Sequence, residues 1–221
     1  MKTLSARAKT SGFTLVELLV AIGLIIVLVM VLLPTSPQKI HAPLVECMSN
    51  QKQVALAFLI WKDDHDGKFP WEVSRAKSGT MESSEKGDAA ANYSALLAYV
   101  HLPRAFVCPT DAARTVATNQ AMILDQNASY FIGLDITTNP AAGILTGDRN
   151  LKTGQMPVGS GLFVYSNGLP MDWTRELHGD NRSSPMGVMS FEDGHAAVEH
   201  GTNTDLTFQN ESLATSRFAV P

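Results

Sequence analysis

Few side chains in this 221-residue chain could do chemistry, and their spacing decides what each set can do. Glu17 is the single charge in an apolar run over residues 12–33. A carboxylate in such a run is unfavourable unless it is paired, neutralised or close to an interface. Two readings are open: Glu17 stays hydrated near lipid headgroups, or it awaits a cation supplied by processing or assembly. Cys47 and Cys108 are the two cysteines, readable as a bridge or as two unpaired thiols. Asp63, Asp64 and Asp66 cluster as ligands of a hard cation would. Aligning Gly67 with the invariant glycine of an EF-hand puts Lys62 in the first ligand position and Val73 where the bidentate glutamate belongs. These acids therefore read as the solvated end of a helix. His178, Asp193, His195 and His200 form the last set. His195 and His200, five apart on a strand, point to opposite faces. His178 beside Gly179 reads as a turn or hydrogen-bonding residue. With no zinc-protease helix motif, paired-cysteine motif or nucleophile elbow in the chain, neither catalysis nor a metal is expected.

The elements that position these residues begin with the apolar run itself. A helix of that length reaches ~32 Å, enough to cross the ~30 Å hydrocarbon core of a bilayer. Lys2, Arg7 and Lys9 precede it without an acid, so the N-terminal tail should stay in the cytoplasm and the rest be exported. The expected location is the inner membrane, crossed once, with the C-terminal domain outside.

Residues 12–17, Gly-Phe-Thr-Leu-Val-Glu, resemble the type IV prepilin N-terminal signal found on pilins and on type II secretion pseudopilins. The resemblance implies cleavage between Gly12 and Phe13 by a prepilin peptidase and N-methylation of Phe13. It also implies that Glu17 pairs with the N-terminal amine of a neighbouring subunit, which supplies the missing cation. An ordinary secretory peptide would be cut after its apolar region. Here the apolar helix would remain on the mature protein. Residues 1–12 are then a leader and 13–33 a transmembrane and assembly helix.

The net charge is −4 and the basic leader makes the remainder more acidic still. With no Lys/Arg run, nucleic acid is not an expected partner. The ~180 residues beyond the apolar run suit one globular domain. In an exported domain a Cys47–Cys108 bridge is chemically allowed and would contribute ~3–4 kcal/mol by closing a long loop. That bridge is the expectation.

Pro34, Pro37 and Pro43 interrupt any single spine, giving a break over 34–43. Apolar spacings of three, four and seven predict a spine helix over 44–62 within a globular domain of residues 44–221. The Asp-Gly pair at 66–67 and Pro70 stop it. Residues 72–92 read as a surface loop, and 93–102 as a short amphipathic helix closed by Pro103. Short β-like runs follow at 129–134, 143–146 and 161–165. The fold class expected is α+β: a long N-terminal transmembrane helix, then a domain whose antiparallel sheet packs on the second part of the helical spine.

Residues 186–192 and 196–200 flank Asp193-Gly194 and predict a β-hairpin with a type I′ turn, which needs φ > 0 at both central residues. His178 with Asp193 and Gly194 resembles the prepilin-type processing-associated H-X9-DG domain of bacterial pilin-like proteins. Residues 106–109, 130–134 and 147–150 resemble it too. Fourteen residues rather than nine separate His178 from Asp193, so an insertion around 181–185 must loop out. Together the resemblances imply a non-enzymatic structural subunit of a type IV pilus or type II secretion pseudopilus, without a cofactor. Its partners would be prepilin peptidase, the inner membrane, and copies of itself or other pilins in a filament. The other reading is a membrane-anchored, exported binding or sensory protein that never polymerises.

Overall fold

The computed structural model describes residues 13–32, 42–100, 102–118, 122–136, 143–166, 168–179, 184–201 and 215–221. The leader with Gly12, the prolines at 34 and 37, and most of the insertion around 181–185 lie outside them. The chain divides into two compact units, Met1–Lys39 and Ile40–Pro221.

In the first unit the apolar run forms helix α1, Leu15–Leu32. It starts with a capping box. The Thr14 hydroxyl accepts from the Glu17 N–H at 3.3 Å, and the Glu17 carboxylate accepts from the Thr14 N–H at 2.9 Å and hydroxyl at 2.7 Å. Eighteen residues give a helix of ~27 Å, short of a ~30 Å hydrocarbon core. Among the described residues no helix is long and apolar enough to cross a membrane. This corrects the expected transmembrane helix, the single-pass place in the inner membrane and the membrane-anchored alternative. The fold class is corrected with them. Among the described residues no single helix forms an N-terminal spine: α1 and the next helix fall in separate units, and the second unit is rich in β-strand.

That unit is built on helix α2, Ala42–Asp64, with Pro43 in its first turn, where a missing N–H is harmless. Its buried face includes Cys47, Gln51, Val54, Phe58 and Trp61. It runs two residues past each end of the 44–62 prediction. Residues 72–92 are not a plain surface loop. They contain two short helices, α3 (Met81–Ser84) and α4 (Ala89–Ala95), joined by a buried polar knot. In it the Thr80 hydroxyl donates to Asn92 Oδ1 at 2.5 Å, and the Asn92 amide donates to the Ser84 hydroxyl at 2.9 Å. The predicted helix over 93–102 thus falls earlier, with Asp88 as its N-cap accepting from the Ala91 N–H.

Nine strands follow among the described residues: β1 Tyr130–Gly133, β2 Ile144–Asp148, β3 Leu151–Thr153, β4 Met156–Pro157, β5 Gly161–Ser166, β6 Met171–Trp173, β7 Met186–Phe191, β8 Ala196–His200 and β9 Thr215–Val220. Six form an antiparallel sheet in the order β5-β9-β1-β2-β7-β8, and three form a second sheet, β4-β3-β6. The central strands β1, β2 and β7 of the larger sheet are buried on both faces. Successive residues alternate between two apolar clusters, as the period of two requires. Tyr130, Ile132, Val188 and Ala219 face the cluster around α2. Phe131, Met189 and Phe218 face a second cluster with Trp173 and Met171 of β6.

The β7–β8 hairpin pairs Met186 with His200 through Ser190 with Ala196. Its turn differs from the predicted type I′. Gly194 has φ +83 and Asp193 is not at positive φ. The Gly194 N–H donates to the Phe191 carbonyl, and the Phe191 N–H to the His195 carbonyl. This is the three-residue loop with one left-handed glycine. Lys62 at the end of α2 ties the loop down through Glu192 at 2.6 Å.

Candidate functional site

Four residues from four separate segments bring ligand-type atoms together: Cys47, Cys108, Asp148 and His178, all buried, with those atoms within 4.8 Å of one another. Cys47 comes from the second turn of α2, one turn before Gln51 on the same face. Cys108 follows a 3₁₀ turn, Pro103–Phe106, and is held against α2 by the Asn50 amide, which donates to the Val107 carbonyl at 3.3 Å. Asp148 ends β2. A register shift between Ile144 and Thr146 in the pairing with β7 inserts one residue, so that Asp148 faces α2 while Gly147 meets the Phe131 ring on the other face. His178 lies in an isolated bridge to Met186, at the entrance of β7.

The four groups touch in a ring of short contacts. Cys47 Sγ lies 3.3 Å from Asp148 Oδ1, Cys108 Sγ lies 3.3 Å from His178 Nε2, and His178 Nε2 lies 3.2 Å from Asp148 Oδ2. Outside the ring, the Gln51 amide donates to Asp148 Oδ1 at 3.0 Å and the Val188 N–H to Oδ2 at 2.7 Å. Gln51 is itself fixed, donating to the Val188 carbonyl at 3.0 Å and accepting from the Thr146 hydroxyl at 3.2 Å. The Tyr130 hydroxyl sits 3.7 Å from Cys47 Sγ and the Thr110 hydroxyl 3.1 Å from Cys108 Sγ.

The electrostatics follow from this packing. Burial pushes the Cys47 thiol up, and hydrogen bonding with Cys108 and the nearby Asp148 charge push the same way. Cys108 is lowered to about 6, by the contact with Cys47 first and against its own burial, with His178 helping. Burial opposes the His178 charge, but Asp148 and Cys108 outweigh it and raise the group to about 10.

The arrangement is not a nucleophile, base and orienting acid. That device needs the acid on one imidazole nitrogen and the nucleophile on the other. Here Asp148 and Cys108 both meet Nε2, and Cys108 is 1 % exposed. What the arrangement provides is convergence: two sulfurs, one nitrogen and one carboxylate aimed at a common centre.

The predicted site residues fare unequally. Cys47 and Cys108 are brought together as foreseen, but as free thiols rather than a bridge. His178, read as a turn or hydrogen-bonding residue, is a hydrogen-bonding member of the cluster, in contact with Cys108 and Asp148, while Asp193 and Gly194 sit in the hairpin loop. His195 stacks on Phe191 and contacts Asp193 at 2.5 Å, away from the cluster. Asp63, Asp64 and Asp66 stay exposed at the end of α2, as solvated acids do. Phe13 and Glu17 are exposed on α1. Asp148 lies in the 147–150 segment of the second resemblance but was not singled out as a site residue. Its sequence signal is a lone acid closing the β run Ile-Leu-Thr-Gly-Asp, a position that is costly unless the carboxylate is used. In comparisons with known proteins, no family model, no curated protein and no solved structure matches this chain.

Proposed function

We propose that this chain is a pilin-like structural subunit of a type IV pilus or type II secretion pseudopilus, cut between Gly12 and Phe13 by a prepilin peptidase and N-methylated at Phe13. The observation that carries the reading is the start of α1. Phe13 is 78 % exposed, just ahead of α1, and Glu17 stands one turn on, at the open end of an apolar helix. Exposed Leu15, Leu18, Ile22, Ile25 and Val29 leave α1 uncovered over its length. Helices of neighbouring subunits are the cover this reading supplies. The Glu17 carboxylate uses Oε2 for its cap, so Oε1 is available to a neighbour's Phe13 amine. No catalytic role enters this reading.

The test is co-expression with a prepilin peptidase. The wild-type chain should lose about twelve residues, a length set by the position of Gly12, and gain one methyl group on Phe13. A Gly12→Ala chain that shortens equally refutes the cleavage, and filaments that form unchanged with Glu17→Ala refute the pairing.

A further inference from the structure

We propose that Cys47, Cys108, Asp148 and His178 are the four ligands of a structural zinc ion that staples α2 to the end of β2, to the turn after residue 107 and to the segment entering β7. The ligand set comes first. Two thiolates and an imidazole select a borderline-soft, tetrahedral ion over calcium or magnesium, which take oxygen shells. Geometry agrees. A tetrahedral ion bound at ~2.3 Å to sulfur and ~2.0 Å to nitrogen or oxygen spaces its ligands ~3.3–3.8 Å apart. The contacts Cys47 Sγ–Asp148 Oδ1, Cys108 Sγ–His178 Nε2 and His178 Nε2–Asp148 Oδ2 are 3.3, 3.3 and 3.2 Å, at or just under the short end of that span and reaching Asp148 through both of its oxygens, while one ligand atom from each of the four residues lies within 4.8 Å of the others.

The surroundings supply what a metal site needs beyond its ligands. Gln51 and the Val188 N–H grip both Asp148 oxygens and set the carboxylate's direction, the work of outer-shell donors. Two thiolates, one carboxylate and a neutral imidazole around a dication leave a single negative charge, and those same N–H donors face it. Four protein ligands with all four residues buried leave no open position, so the site is closed and structural rather than hydrolytic. Cys108 lines a cleft of about 280 Å³ with Glu46, Asn50, Arg104 and Asp111, which offers the ion a way in. On binding, the Cys47 and Cys108 thiols give up their protons to solvent and each sulfur donates a lone pair to the ion. Nothing is oxidised or reduced.

The competing chemistry is oxidation of the same two sulfurs to a disulfide, which an ion between them would block. The test therefore uses the full chain, produced in zinc-supplemented medium and analysed for metal and for thiols. One zinc per chain and two titratable thiols after chelation are expected. Replacing zinc with cobalt should give the visible ligand-field bands of a tetrahedral site and a near-ultraviolet thiolate charge-transfer band. Cys108→Ser and His178→Ala should each weaken zinc retention against a competing chelator by more than the ~10–100-fold that outer-shell changes cost. Replacing the exposed acids Asp63, Asp64 and Asp66 by asparagine should leave zinc content unchanged. A wild-type chain whose cobalt spectrum lacks the tetrahedral and charge-transfer bands overturns the proposal, whatever the variants do. So does a Cys47–Cys108 disulfide that persists with zinc in the buffer.

Discussion

The Arg149 guanidinium holds the Asp111 carboxylate through two parallel hydrogen bonds of 2.7 and 2.8 Å, and the Asp111 side chain is wholly buried. A second contact ties Arg149 to Glu176. Arg149 follows Asp148 directly, Asp111 is three residues beyond Cys108, and Glu176 is two before His178. One side chain thus draws together the segments that carry three of the four clustered groups.

Arg149→Ala should destabilise the fold by about 3 kcal/mol or more, because removing one partner strands a buried charge. Arg149→Lys should recover only part, since an ammonium lacks the planar fork. Urea midpoints for the wild type and the two variants measure both effects. An Arg149→Ala midpoint equal to the wild type's would show that the clamp is idle.

The same pair predicts a response to acid. Burial raises the Asp111 carboxyl, but Arg149 outweighs it and holds the group below its ordinary value. The folded pKa therefore lies under the unfolded value of about 3.9, so the contribution is complete above that value and is lost as pH falls through the folded one. Stability measured at successive pH values below about 4 should fall less steeply for Asp111→Asn than for the wild type. Parallel curves would remove Asp111 from the account.

Gln51 joins α2 to β2 and β7 through Asp148, Thr146 and Val188. Gln51→Met keeps the volume and deletes all three bonds, leaving buried polar atoms short of partners. The expected loss is about 2–3 kcal/mol, read from chemical unfolding. A loss under about 0.5 kcal/mol, the range of ordinary surface changes, would contradict the network.

Gly194 is in the left-handed region at φ +83, with Leu59 beneath it. Gly194→Ala should cost about 1–2 kcal/mol and Gly194→Asn less, because asparagine tolerates this conformation. Equal thermal midpoints for alanine and asparagine would argue that the loop rearranges instead.

Glu17 serves as the partner of Thr14 in the helix cap. Thr14→Ala removes the hydroxyl's part of that cap and leaves the carboxylate; Glu17→Ala removes the carboxylate and the two bonds it accepts, and keeps the N–H bond to the Thr14 hydroxyl. If Glu17 also pairs with a neighbour's amine, filaments should survive the first change and fail with the second. Equal loss from both would reduce Glu17 to a capping residue.

Local patterns were legible because neighbours in sequence decide them. The spacing of Leu44, Met48, Ala55 and Leu59 revealed α2, although its buried face runs through Val54, Phe58 and Trp61 and leaves Val45, Leu56 and Ile60 exposed; the runs around Asp193-Gly194 revealed the β7–β8 hairpin. The helices at 81–95 were not legible, because Ser84 and Asn92 are polar residues buried by one another and imitate a surface loop. The cluster was out of reach for another reason. Its members lie on separate segments, with no spacing motif between them, and only the long-range pairing of β2 with β7 and the packing of α2 bring them together. Cys47 and Cys108 were noticed as a pair, and the segments holding Cys108, Asp148 and His178 were grouped by one resemblance, but nothing in the sequence set the four side chains around a common centre. The membrane reading treated the apolar run as one helix through residue 33, whereas α1 as described ends at Leu32.

Strand β9 lies between β5 and β1, joining residues 215–220 to residues 130–133 across the middle of the sheet. The larger sheet therefore cannot zip up by adding each hairpin to the last. Its two halves must wait for a segment roughly 85 residues downstream of the first strand it meets. Topologies dominated by such distant pairings fold on the millisecond-to-second scale rather than in microseconds. A chain held for that long leaves open the edges of β1 and β5 that β9 will cover, so the rate at which β9 docks sets how long the folding protein is open to association through them.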